Sequence, residues 1–87
     1  MGTKRDRVEI MAEILCLCTK PQSKTRIMYG TNLSWKMLQQ YLGYMQEHEL
    51  LEVKDKTKYV TSHKGGEFVH KWNELKELIE SPITAKN

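Results

Sequence analysis

The stretch "TNLSWKMLQQYLGYMQEHELLEV", Thr31 to Val53, decides the fold, because its apolar residues run first at helical spacing and then alternate. Stepped at about 100° per residue, Leu38, Leu42 and Met45 fall on one stripe with Tyr41 at its flank. Ser34 supplies an N-cap, and Leu33 before it meets Leu38 at the fourth helical position as a hydrophobic staple. This spacing predicts a helix from Trp35 to about His48. Lys36, Gln40 and Gly43 occupy its other side, with Gln39 close by. After "EHE" the period changes. "LLEVKDKTKYVT" predicts two short strands, about Leu51–Lys54 and Lys58–Val60, joined by a charged turn without the Asn-Gly pair of a strong hairpin.

Working outward, "KTRIMYG" reads as a short helix, with Ser23 as its N-cap and Gly30 suited to the left-handed position at its end. "KPQS" separates it from a first helix of about Arg5 to Thr19, with Pro21 as the stop. That helix carries two apolar stripes, Val8, Met11, Leu15 and Cys18 beside Ile10, Ile14 and Leu17. The combined arc is wider than the ~100° a surface helix needs, which predicts cover on two sides. After the hairpin, Thr61 offers an N-cap for a last helix from Ser62 to Glu80, stopped at Ser81–Pro82. Phe68, Trp72, Leu75 and Ile79 step by four, three and four along it, a coiled-coil seam with Val69 and Leu78 on its flanks. Trp72, Leu75, Ile79 and Phe68 are therefore the expected dimer interface, with Phe68 packing on its own domain near the hairpin. One side of the first helix is expected to face its own domain and the other the partner's last helix. The chain divides into a first unit at 4–61, a dimerisation helix at 62–81 and a frayed tail at 82–87.

A chain of 87 residues has room for one core. Its charged fraction of 29% is that of a soluble globular domain, and no apolar run approaches the ~20 residues of a membrane span. The charged N-terminus has no signal-peptide core, and Asp6 stands where a myristoylation signal needs Ser or Thr, so a cytoplasmic protein is expected. Cys16 and Cys18, two apart on a helix, suit neither a disulfide nor a shared metal and read as small buried hydrophobes. His48, His63 and His70 are dispersed, no glycine-rich loop precedes a helix, and the carboxylates of the last helix alternate with lysines. Neither an enzyme nor a resident cofactor or metal is expected.

The net charge of +3 is unevenly placed: no aspartate or glutamate occurs from Ile14 to Gln46, while Lys20, Lys24, Arg26 and Lys36 fall inside that window. A short helix, a tight turn and a second helix make a helix-turn-helix, whose second helix lies in the major groove with its N-terminal residues at base edges. That places Trp35, Lys36, Gln39 and Gln40 where readout needs them; lysine bonds guanine acceptors, and glutamine bonds adenine bidentately. Gly43 on the same face removes a side chain that would hold the backbone off the duplex. Lys24 and Arg26 are expected on phosphates from the start of the short helix, and Lys54, Lys56 and Lys58 from the hairpin.

"KTRIMYGTNLSWKMLQQYL", with "HELLEV" and "YVTSHKGGEF" after it, resembles the small archaeal winged-helix DNA-binding proteins from about Lys4 to Ile79. Lys24 to Ser34 is the most specific part of the likeness. Gly30 stands where that family more often has lysine, and Trp35 where a tyrosine is usual. The resemblance implies a mainly α (α+β) winged helix-turn-helix, a two-stranded wing, and a C-terminal helix that pairs with a second chain as an antiparallel coiled coil. It implies a homodimeric transcriptional regulator on double-stranded DNA, with no membrane partner. Two alternatives stay open: a DNA-architectural protein of low sequence preference, and a winged helix that docks a protein partner.

Overall fold

Asp6 starts the first helix with a reciprocal cap: its carboxylate accepts from the Glu9 N–H at 2.9 Å, while the Glu9 carboxylate accepts from the Asp6 N–H at 3.1 Å. The computed structural model describes residues 6–80. Arg5, Ser81, Pro82 and the expected tail at 82–87 lie outside them. In chain order the elements are α1 (Arg7–Leu17), β1 (Gln22–Ser23), α2 (Lys24–Thr31), α3 (Trp35–Glu47), β2 (Leu51–Lys54), β3 (Lys58–Thr61) and α4 (His63–Glu80). The first helix is thus shorter at each end than its apolar pattern suggests, because the Asp6 cap fixes its start.

The expected stripe of α3 is buried: Leu38, Leu42 and Met45 turn inward beside Ile14, Leu15, Cys18 and Ile27, all essentially without solvent contact. Burying one such side chain contributes about 1.5–3 kcal/mol, so this cluster is the main driving force. Ser34 caps α3 by accepting from the Met37 N–H at 3.2 Å, and Ser23 does the same for α2 through the Arg26 N–H at 3.2 Å. Leu33 and Leu38 are both buried, as a staple requires. Burial pushes the Cys18 thiol up to about 11, so it stays neutral and inert. Cys16 is exposed, contrary to expectation: it lies about 200° round α1 from the buried Cys18, on the open groove it lines with Trp72.

The sheet has one strand more than the sequence pattern shows. The order is β1-β3-β2, all antiparallel, with Gln22 opposite Tyr59 and Ser23 opposite Lys58. Two residues carry no periodicity, so β1 exists only through its partner strand. Within the wing, Leu51 faces Thr61 and Lys54 faces Lys58. Its turn takes left-handed backbone at Asp55 (φ 52°) and Lys56 (φ 63°), doing with ordinary residues what Asn-Gly does elsewhere.

The same substitution of roles ends both helices of the helix-turn-helix. α2 runs past Gly30, and Asn32 takes the left-handed position at φ 59°. Asparagine tolerates this conformation, which frees Gly30 to remain helical. α3 ends with Glu49 at φ 62°; the Glu49 N–H reaches the Gln46 carbonyl at 3.0 Å and the Leu50 N–H the Met45 carbonyl at 2.8 Å. This is a Schellman turn with glutamate where glycine is favoured. Glu49→Gly is expected to raise stability by about 1 kcal/mol, seen as a melting temperature higher by about 4–8 °C for a domain of this size. An unchanged or lower melting temperature would mean that the left-handed turn is not strained.

Ser62, not Thr61, caps α4. Its hydroxyl accepts from the Gly65 N–H at 3.0 Å and donates to the Glu49 carbonyl at 2.7 Å. Thr61 instead ties β3 to α1, its hydroxyl donating to the Leu15 carbonyl at 2.7 Å and its N–H to the Cys18 carbonyl at 2.8 Å. Phe68 and Val69 pack on the core. Trp72 is half-buried, lining a groove with Ala12, Cys16 and Leu17 of α1. The second side of α1 is therefore faced by the chain's own α4, a place the apolar arc alone assigned to a partner's helix. Further along the same stripe the cover ends: Leu75 is 48% and Ile79 68% exposed, with Leu78 at 75% beside them. On the outer face, His63–Glu67 at 3.6 Å and His70–Glu74 at 3.4 Å are exposed pairs of little consequence for stability. Among the described residues no helix is long and apolar enough to cross a membrane, and no three His, Cys, Asp or Glu side chains gather to hold a metal.

Candidate nucleic-acid interface

α2, a three-residue turn and α3 present an acid-free surface, since every residue from Lys24 to Gln46 is neutral or basic. The acids nearest in sequence on the C-terminal side, Glu47 and Glu49, lie at the far end of α3. Trp35, Lys36, Gln39 and Gln40 are all exposed on the first turns of α3. They split into two flanks and a centre. Lys36 and Gln40 lie opposite the buried stripe, where Gly43 leaves open space around the backbone.

On one flank, Trp35 and Gln39 meet Lys24 from α2. The Lys24 ammonium donates to Gln39 Oε1 at 3.2 Å and stands 5.5 Å from the centroid of the Trp35 ring. Trp35 is 46% exposed, so its indole supports Lys24 with one side and leaves the rest to solvent. The link spans fifteen residues and has no signature in the sequence.

The opposite flank was not anticipated. Met37 and Tyr44, with Gln40, Tyr41, Met11 and Arg7, line a groove between α3 and the start of α1. Tyr44 also stacks obliquely on His48, ring centroids 4.3 Å apart. Met37 and Tyr44 are seven residues apart, two helical turns, so their shared side was legible; that they leave the core half-open was not.

Arg26 does not join Lys24. It sits two residues along α2 and borders a separate depression with Gln22, Tyr29, Gly30 and Leu17. The wing, by contrast, is held beside the helix-turn-helix. Lys24 directly follows Ser23, whose partner on β3 is Lys58. Lys54 and Lys58 face each other across the hairpin, and Lys56 stands in its turn; all three are exposed. Like charges opposed in a ladder are unfavourable unless an anion lies between them, so this pair is placed at some cost to the fold.

Two helices joined at a left-handed asparagine, followed by a hairpin whose outer partner strand precedes the first of them, is a winged helix. The sequence matches the winged helix-turn-helix family over residues 4–80. The chain belongs to that family. Among its relatives are two uncharacterized proteins of the archaeon Methanocaldococcus jannaschii. MJ0290 is 38% identical over 79 residues, which are 90% of this chain and 37% of that protein. MJ0287 is 32% identical over 79 residues, 90% of this chain and 80% of that protein. The chain thus spans little more than a third of the first relative's length. Among solved structures, Sso10a-2, a DNA-binding protein from Sulfolobus solfataricus, superposes with a TM-score of 0.78 at 25% identity. The match covers 92% of this chain and 87% of that one. The agreement therefore extends over most of the chain and beyond the helix-turn-helix.

Proposed function

We propose that this winged helix binds double-stranded DNA as a homodimer and acts as a transcriptional regulator in the archaeal nucleoid. α3 enters the major groove with Lys36 and Gln40 toward base edges, and the wing lysines rest on neighbouring phosphates. The observation that carries this reading is the exposed, acid-free α2–α3 surface, with the wing root fastened beside it through the Ser23–Lys58 pairing. Family membership and the likeness to Sso10a-2, a DNA-binding protein, support it. Lys24 and Arg26 have different parts: Lys24 acts from α2 on Gln39 of α3, whereas Arg26, on another side of α2, meets backbone only if the duplex reaches that side.

The test is duplex binding at several salt concentrations. Replacing Lys36, Lys54 and Lys58 together with alanine is expected to weaken binding at least tenfold and to lower the salt slope by about three, one per lost phosphate or groove contact. An unchanged affinity and slope would exclude this docking mode. In vitro selection from a random pool separates a regulator from an architectural protein, since only a regulator enriches a defined site.

A further inference from the structure

The Lys24–Gln39 contact determines the chemistry that Gln39 can present. The ammonium stands 3.2 Å from Gln39 Oε1 and 5.5 Å from the Trp35 ring centroid. An ammonium carries three donors and no acceptor, so it selects the amide oxygen and turns the NH2 group the other way. The indole face holds the ammonium in place by cation–π attraction. We propose that Lys24 is a positioning residue for base readout: its bond to Oε1 orients the Gln39 amide and its charge favours acceptors beside it, so that the base pair facing Gln39 is read at guanine.

This rests on the DNA-binding reading above and names what that surface recognises. A free glutamine matches adenine because it sets an acceptor and a donor side by side, against the adenine N6 amino group and N7. With one lone pair of Oε1 held by a cation, the amide is oriented and its NH2 group is left as its unengaged side. The nearby positive charge also opposes the adenine amino hydrogens. Guanine offers O6 and N7, two acceptors on one edge, and meets the NH2 group and the nearby cation with no donor opposed to either. The adenine preference expected from glutamine by itself is therefore reversed by a residue fifteen positions earlier in the chain.

Selection from a random duplex pool tests this with four proteins: wild type, Gln39→Ala, Lys24→Met and Lys24→Arg. Gln39→Ala locates the base pair concerned, as the one whose preference disappears. Wild type is expected to enrich guanine there about tenfold or more over adenine. Lys24→Met keeps an unbranched stem across Trp35 but has no donor, and is expected to lose that enrichment or turn to adenine while still binding the pool. Lys24→Arg, again a donor-only cation, is expected to restore guanine.

Adenine at that position in wild type would overturn the proposal. So would a Lys24→Met variant that weakens all sequences equally, lowers the salt slope by about one and keeps guanine, since Lys24 would then be a phosphate contact. Failure of wild type to bind any duplex would refute the DNA reading itself. The pairing is read separately in the free protein, by side-chain amide NMR of Gln39 and the indole signal of Trp35. Signals that do not move in Lys24→Met, with the rest of the spectrum intact, would overturn the pairing whatever the DNA result.

Discussion

Gly65→Ala is expected to lower stability by about 2–3 kcal/mol or more, while Gly66→Ala, one residue on, raises it by about 0.5–1 kcal/mol. A Cβ on Gly65 would run into the carbonyl oxygen of Leu50 and come within 2.7 Å of Thr61 Cγ2. That carbonyl cannot withdraw, because it accepts from the Ser62 N–H at 3.0 Å, a bond that seats α4 on the end of α3. Overpacking against a fixed group costs about 1–3 kcal/mol and more against backbone. A domain of this size has only about 4–13 kcal/mol in total. A Cβ on Gly66 meets nothing within 4 Å, so only the helix propensity gain remains. Urea denaturation of the two variants, compared at equal m-value, checks both signs. Equal effects would mean that α4 does not approach Leu50 as closely as its cap requires.

The second large effect is expected in assembly. Leu75→Glu with Ile79→Glu should convert a dimer to a monomer, raising the dimer dissociation constant at least about 100-fold by burying two unpaired charges per chain. These positions are better probes than Trp72. Leu75 and Ile79 are 48% and 68% exposed in the single chain, so replacing them leaves the domain intact, whereas Trp72 also packs on α1. The stripe they continue is packed on the core at Phe68 and open beyond Trp72, the surface that a second copy of α4 would cover in the proposed homodimer. Sedimentation velocity of both proteins measures this, and the wild-type melting temperature should rise with concentration while that of the variant should not. A wild type that sediments as a monomer at high concentration would remove the homodimer from the proposed function.

Much of the fold was legible where one local signal sufficed. The stripe Leu38–Leu42–Met45, the Ser23 and Ser34 caps and the change of period at Leu51 each follow from neighbours within a few residues, and each is present. The errors share a cause. Gly30 was read as a helix end because glycine is the usual left-handed residue, yet Asn32, Glu49, Asp55 and Lys56 take those conformations and no described glycine does. Cys16 and Cys18 read alike as small hydrophobes, yet only Cys18 meets the core, while Cys16 stands at the open groove beside Trp72. Thr61 was read as a cap when its hydroxyl has a stronger use on the Leu15 carbonyl, forty-six residues away.

The candidate site was legible as a list and not as an arrangement. Window, turn and helix order placed Lys36, Gln39 and Gln40 on an outward face, and there they are. That Lys24 reaches Gln39 while Arg26 turns to a separate depression depends on the angle at which α2 crosses α3. Periodicity says which side of a helix a residue occupies and nothing about which neighbour that side meets.

By itself, then, the sequence determined the elements, their buried stripes and the absence of acid across the reading unit, all of them properties of one segment at a time. The tertiary structure decided the third strand, the seat of α4 at Gly65, and the partner that fixes Gln39. Each of these joins groups far apart in the chain: Gln22 to Tyr59, Gly65 to Leu50, Lys24 to Gln39. A strand of two residues, a close backbone approach and a single ammonium–amide bond leave no repeating trace in composition, because each is created by packing and has no energy of its own until the chain has folded.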